Sequence, residues 1–208
     1  MKGTILDTIH EDSSNCYLTK FTLKDFVISL SEEYREYEIQ REIVTNTYLD
    51  NLIDTVLLKR HIPPIVLVID AESYRLNGNE IQISEFKILD GLQRTYRLKS
   101  IWETIQFFKN ELEYSDEFLS FSRLQLARKF SEKLEKINSN SKVLESILKF
   151  YKLNILNKQN VNIDDCFLVS QWFEVWSNLS PEQEVNKMLV LNAGHKSVKT
   201  QHQLELLF

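Results

Sequence analysis

Two cysteines, four glycines and three prolines among 208 residues remove several classes of protein at once. Cys16 and Cys166 stand far apart with no C-x-x-C pair, so there is neither a disulfide framework nor a zinc signature, and a reducing compartment suits the chain. His10, His61, His195 and His202 have no metal-ligand spacing towards a cysteine or carboxylate pattern, and no metal ligand is assigned. No G-x-x-x-x-G-K-[ST] stretch occurs, which excludes a Walker-type nucleotide site. No run approaches the roughly 18 apolar residues that a membrane span needs. The longest, Pro63 to Ile69, is strand-sized. The start, Met1 to Asp7, lacks the apolar stretch of a signal peptide, so the expected location is the cytoplasm. A formal net charge of −5 gives no global pull towards DNA. Nucleic-acid contact would need a local patch or another part of a longer protein.

What is present reads as an α/β (α+β) domain: 43% hydrophobic and 26% charged residues are globular values, and 208 residues bury a sizeable core without staples. Residues 1–20 are polar and unpatterned, an arm or a first edge. Phe21 to Leu30 alternates as a strand. Tyr48 to His61 predicts a helix capped by Thr47, with Leu49, Leu52, Ile53, Val56 and Leu57 on one face and Pro63-Pro64 beyond its end. Ile65 to Ile69 is continuous and β-branched, a strand covered on both faces. Asn77-Gly78 is a hairpin signal, expected to join that strand to Ile81–Leu89. Leu98, Ile101, Trp102, Ile105 and Phe108 recur at helical spacing and predict a helix over 92–110.

Residues 112–160 are polar and free of glycine and proline, with Leu124, Ala127, Phe130, Leu134 and Ile137 spaced for one helix face; they read as a helical insertion. A loop from Asn157 to Asp165 follows, then strand-like Phe167–Val169 and Phe173–Trp176. Ser180-Pro181-Glu182-Gln183 combines a cap, a first-turn proline and a capping-box glutamine, opening a helix expected to stop at Gly194. Thr200 and Gln203 suggest one more capped helix, and the apolar end Leu206-Leu207-Phe208 leads us to expect the N-terminal part of a longer protein. The whole of 1–208 is taken as one domain carrying that insertion.

Asp90-Gly91-Leu92-Gln93-Arg94 stands where period two changes to period 3.6. One reading is structural, with Asp90 an N-cap and Gln93 its capping-box partner. It leaves Arg94 and Arg97 unexplained, since cations at a helix start oppose its dipole. The other reading is anion binding, in which paired guanidinium groups and free N–H groups meet a phosphate and Gly91 lets the backbone approach it. Both stand at this level. Asn192 falls on the stripe of Val185, Met188 and Leu189; a cap before Gly194 is the simpler account, a pocket residue the other. Gln40-Arg41 is uninformative alone, and His195, Lys196 and Lys199 read as solvated.

In order along the chain, Gln40-Arg41 before a helix, Pro64-Ile65-Val66-Leu67, Ile88-Leu89-Asp90-Gly91-Leu92-Gln93-Arg94 and Leu191-Asn192-Ala193-Gly194 resemble the ParB/sulfiredoxin-like superfamily, in its DGQQR and DGQHR branches. The resemblance covers about 35–110 and 180 to the end. It implies a mixed sheet with flanking helices and a nucleotide, NTP with Mg²⁺, whose phosphates lie at the helix start. Asp90 would orient water or metal or fix the loop, Gln93 and Arg94 would contact phosphates beside Gly91 and Arg97, and Gln40, Arg41 and Asn192 would close the pocket. Leu92 departs from the motif, which has an amide or related polar group there. The implied settings are an NTP-binding or hydrolysing module of a DNA-modification or phage-defence protein, a non-enzymatic DNA-associated regulator, or a partner-binding domain with a vestigial pocket.

Overall fold

The computed structural model describes residues 1–31, 51–112, 116–156 and 162–192. It contains a mixed seven-stranded sheet and, among the described residues, seven α-helices. The chain divides into two compact units. One is assembled from Met1–Phe21, Pro63–Leu92 and the stretch that begins at Trp172; the other from described parts of Thr22–Ile62 and Gln93–Gln171.

The first unit carries the sheet: β1 (Lys2–Glu11), β2 (Ser14–Thr22), β3 (Ile65–Ile69), β4 (Tyr74–Asn77), β5 (Glu80–Ile83), β6 (Lys87–Asp90) and β7 (Ser170–Ser177), in the order β4-β5-β1-β2-β7-β3-β6. β3 is buried at all five residues, as its unbroken β-branched run predicts. It pairs parallel with β7, from Ile65 opposite Phe173 to Ile69 opposite Ser177, and antiparallel with β6. Gly78 takes φ 59° in the expected tight turn, but that turn joins β4 to β5 and leaves β3 with other partners. The stretch Ile81–Leu89 accordingly splits into β5 and β6.

Residues 1–20 are not an arm or an edge: β1 and β2 form a hairpin inside the sheet, turning at Asp12 with φ 49°. β1 has no fully buried residue, so it carries too little apolar alternation to read as a strand. Gly3, opposite Ile81, is where the neighbouring chain comes closest; a Cβ there would overlap the Lys20 carbonyl and the Phe21 ring. Gly3→Ala is therefore expected to cost about 1–3 kcal/mol, the usual range for overpacking, measured as a fall in the urea midpoint. An unchanged midpoint would show that the hairpin and ring yield freely.

The second unit is helical. Phe21–Leu30 does not continue as a strand. Thr22 ends β2 and its hydroxyl accepts from the Asp25 N–H at 3.0 Å, so α1 (Leu23–Ile28) starts there and buries Leu23, Phe26 and Val27 at helical spacing. The next described helix is α2 (Leu52–Leu57), which buries Leu52, Ile53, Val56 and Leu57; Thr47, Tyr48 and Leu49 lie outside the described residues. α3 (Leu92–Glu111) has the predicted extent and buries Leu98, Ile101, Trp102, Ile105 and Phe108.

Residues 112–160 contain α4 (Asp116–Leu119), α5 (Arg123–Lys136) and α6 (Ser141–Leu156). α5 opens with a Ser122–Gln125 capping box, and this sets its phase: Leu126, Phe130 and Leu134 are buried, while Leu124 is exposed. Of the expected stripe, Phe130 and Leu134 are buried and Ala127 and Ile137 half-buried, so only Leu124 falls off the face. Asn162 caps a 3₁₀ turn over Ile163–Phe167, so part of the expected loop is ordered and β7 begins only at Ser170. Thr104 and Ser139 hydroxyls bond at 2.6 Å, Ser100 donates to the Asn138 carbonyl at 2.8 Å, and the Trp102 and Phe167 rings lie 5.1 Å apart, tying α3 to the connections around it. Among the described residues no helix is long and apolar enough to cross a membrane.

Candidate functional site

β6 ends at Asp90, Gly91 takes φ 92°, and α3 begins at Leu92. That φ lies where an L side chain is strained, which explains glycine at this step. Asp90 is the last residue of β6, opposite Val66, and Gln93 is the second residue of the helix. Asp90, Gly91, Leu92, Gln93 and Arg94 are all half-buried. The first turn of α3 contains no acid but does contain Arg94. Helix starts leave N–H groups without intrahelical acceptors, and the charged residue of this first turn is a cation where an anion is favoured.

Arg97, one turn on, lines a recess of about 10 Å³ with Ile53, Ser100, Ile101, Asn140, Lys142 and Val143. Lys142, at the start of α6, lines the same recess, and the Asn140 side chain accepts from the N–H groups of Lys142 at 2.9 Å and Val143 at 3.2 Å. The recess has room for about one water molecule and admits no phosphate. Arg94 does not line it. The two arginines, paired in the sequence reading, therefore differ in their surroundings. Gln40 and Arg41 lie outside the described residues.

Asn192 is the last residue of α7 (Pro181–Asn192), whose start has the predicted capping box: the Ser180 N–H donates to Gln183 Oε1 at 2.9 Å, and the Gln183 N–H to Ser180 Oγ at 3.3 Å. Gly194, Thr200 and Gln203 lie outside the described residues. α7 packs along β6, with Lys87 Nζ 3.6 Å from Glu184 Oε1, so the late helix and the strand leading to Asp90 are neighbours in the first unit. The stripe of Val185, Met188 and Leu189 is only half-buried.

The register exposes residues that the sequence reading missed. Val66 opposes Glu174 and shares its sheet face; Asp90 opposes Val66 from the other side, beside a register shift between Val66 and Leu67. The Asp90 and Glu174 backbones are about 10 Å apart, two inter-strand spacings. On the same face, Val68 opposes Trp176, and Cys16, Val66, Val68 and Trp176 form a buried cluster with Leu89 and Leu179 against it. Trp176 Nε1 donates to Glu174 Oε1 at 2.5 Å. Lys187 of α7 stands 3.4 Å from the centre of the Trp176 ring and 2.8 Å from Glu11 Oε2. The signal was the alternation Trp172-x-Glu174-x-Trp176, which puts an acid between two tryptophans on one strand face.

Burial pushes the Cys16 thiol from its ordinary 9.0 up to about 12, with Glu174 adding to the rise and Lys187 opposing it. Cys166 is raised to about 12 by burial and then by Asp164. Each thiol loses its proton more readily in the unfolded chain. The stability tied to it is complete below pH 9 and falls as pH rises towards 12. Neither is a nucleophile at neutral pH. Native protein is expected to resist iodoacetamide until unfolded in urea; rapid labelling of the folded chain would contradict this burial.

Comparison with family models, curated proteins and solved structures gives no match. The structure itself defines the class, a mixed α/β fold. Among the described residues there is no group of three or more His, Cys, Asp or Glu able to hold a metal ion by itself. Mg²⁺ that arrives with a nucleotide needs fewer, one or two carboxylates beside phosphate oxygens, and Asp90 at the end of β6 is a carboxylate of the required kind.

Proposed function

We propose that this chain is a nucleotide-binding domain of the ParB/sulfiredoxin-like type from a DNA-modification or phage-defence protein, with phosphates held at the start of α3. One observation carries the reading: a glycine at φ 92° between strand and helix, followed by a first turn with no acid and with Arg94. Such a turn lets a phosphate approach the backbone N–H groups and supplies the opposing charge. Asp90 and Gln93 flank this position, Asp90 as the carboxylate for Mg²⁺ or water. Bound Mg²⁺ would supply charge neutralisation at the phosphates. Titration of ATP, GTP and CTP with Mg²⁺ tests the reading; no heat and no thermal shift with any of them removes it.

Leu92 favours binding over turnover. It is half-buried and cannot orient water, where the motif has an amide. Leu92→Gln is expected to raise phosphate release, or leave it unchanged, without weakening binding. Rapid hydrolysis by the wild type, abolished in Leu92→Gln, would reverse this assignment and make leucine part of the working pocket.

A further inference from the structure

We infer that the groove between β7 and α7 is a nucleobase subsite. It is a shallow, open groove of about 290 Å³ lined by Glu174, Trp176, Asn186, Lys187, Val190 and Leu191. That is close to the lower bound of small-molecule sites, about 300 Å³, so it suits a single ring system. Its walls are the Trp176 side chain and two apolar residues left open to solvent, Val190 at 74% and Leu191 at 37% exposure. Its polar groups are few and of mixed kind: the Glu174 carboxylate, the Asn186 amide and the Lys187 ammonium, which Glu11 and the Trp176 ring hold in place.

Charge decides among occupants. An aliphatic chain would desolvate Glu174 and Lys187 without replacing their hydrogen bonds, at a cost that apolar contact does not offset. An anionic group would meet both Glu174 and Glu11. A neutral, planar heteroaromatic ring with an exocyclic amine meets every requirement. Its amine donates to Glu174, its ring acceptors face Asn186 and Lys187, and its faces pack on apolar walls.

The inference rests on the nucleotide reading for its biological ligand.

The test uses phosphate-free nucleosides (adenosine, cytidine, guanosine and uridine) and, separately, tripolyphosphate with Mg²⁺. Binding is followed by tryptophan fluorescence and calorimetry on wild type, Val190→Arg and Glu174→Gln. Val190 is exposed, so the arginine fills the groove without entering the core; an unchanged melting curve checks this. An amine-bearing nucleoside is expected to bind in preference to uridine, to be weakened roughly tenfold or more by Val190→Arg, and to lose its preference in Glu174→Gln. Tripolyphosphate binding should be unaltered in both variants. Nucleoside binding that ignores Val190→Arg, or NTP binding no tighter than tripolyphosphate with no nucleoside bound, overturns the base subsite and leaves the phosphate reading intact. Nucleoside binding without tripolyphosphate binding does the reverse. A concentration-dependent dimer abolished by Val190→Arg, with no nucleoside bound, overturns the inference and gives the groove to a second copy of the chain.

Discussion

Phe173→Ala is expected to cost about 3–5 kcal/mol, the range for emptying a buried phenylalanine site. Phe173 is fully buried on β7, the strand flanked by β2 and β3 in the middle of the sheet. Its ring meets Phe21 edge to face, 5.5 Å between centres, and its carbonyl accepts the buried Thr19 hydroxyl at 3.0 Å. Truncation removes the ring's contacts and leaves a void between strands tied by backbone hydrogen bonds, which limits collapse. Against a typical total of about 5–15 kcal/mol, such a loss leaves the variant close to unfolding. Urea denaturation measures it. In a double-mutant cycle with Phe21→Ala, the coupling should be about 0.5–1.5 kcal/mol for the ring pair. A loss below about 1 kcal/mol would mean that β7 is not central to the core.

Arg94→Ala is expected to weaken nucleotide binding by about 1.5–3 kcal/mol, the value of a hydrogen bond to a charged group, or roughly 10- to 150-fold. A cooperative melting transition in the free variant checks that it remains folded. Arg97→Ala makes the comparison sharp. Arg97 lies in a water-sized recess beside Lys142, so its removal should disturb the packing at the start of α6 more than phosphate affinity. Equal affinity losses in the two variants would restore the simple arginine pair of the sequence reading.

Local patterns in the chain were legible wherever one side-chain period dominated. The β-branched run of β3, the apolar stripe of α3, the Asn77-Gly78 turn and the Ser180–Gln183 box all report on residues within a few positions of one another. One misreading arose where a cap decided the outcome: the Thr22 hydroxyl turned an alternating stretch into α1. Strand partners were beyond reach because pairing is non-local. β3 finds β7 from far along the chain, and β1 hides between neighbours with a largely solvated face.

The candidate site was legible in the same uneven way. Asp90-Gly91 announced a strand-to-helix step, and the positive φ of Gly91 agrees with it. Glu174, Trp176 and Lys187 went unseen because only the β3–β7 register and the packing of α7 bring them together.

Isothermal titration of ATP, GTP and CTP, each with Mg²⁺, into wild type and Arg94→Ala tests the central claim most directly. The account predicts a saturating heat with at least one nucleotide in the wild type and an affinity roughly 10- to 150-fold lower in the variant. A nucleotide bound equally well by both proteins, or by neither, would contradict it.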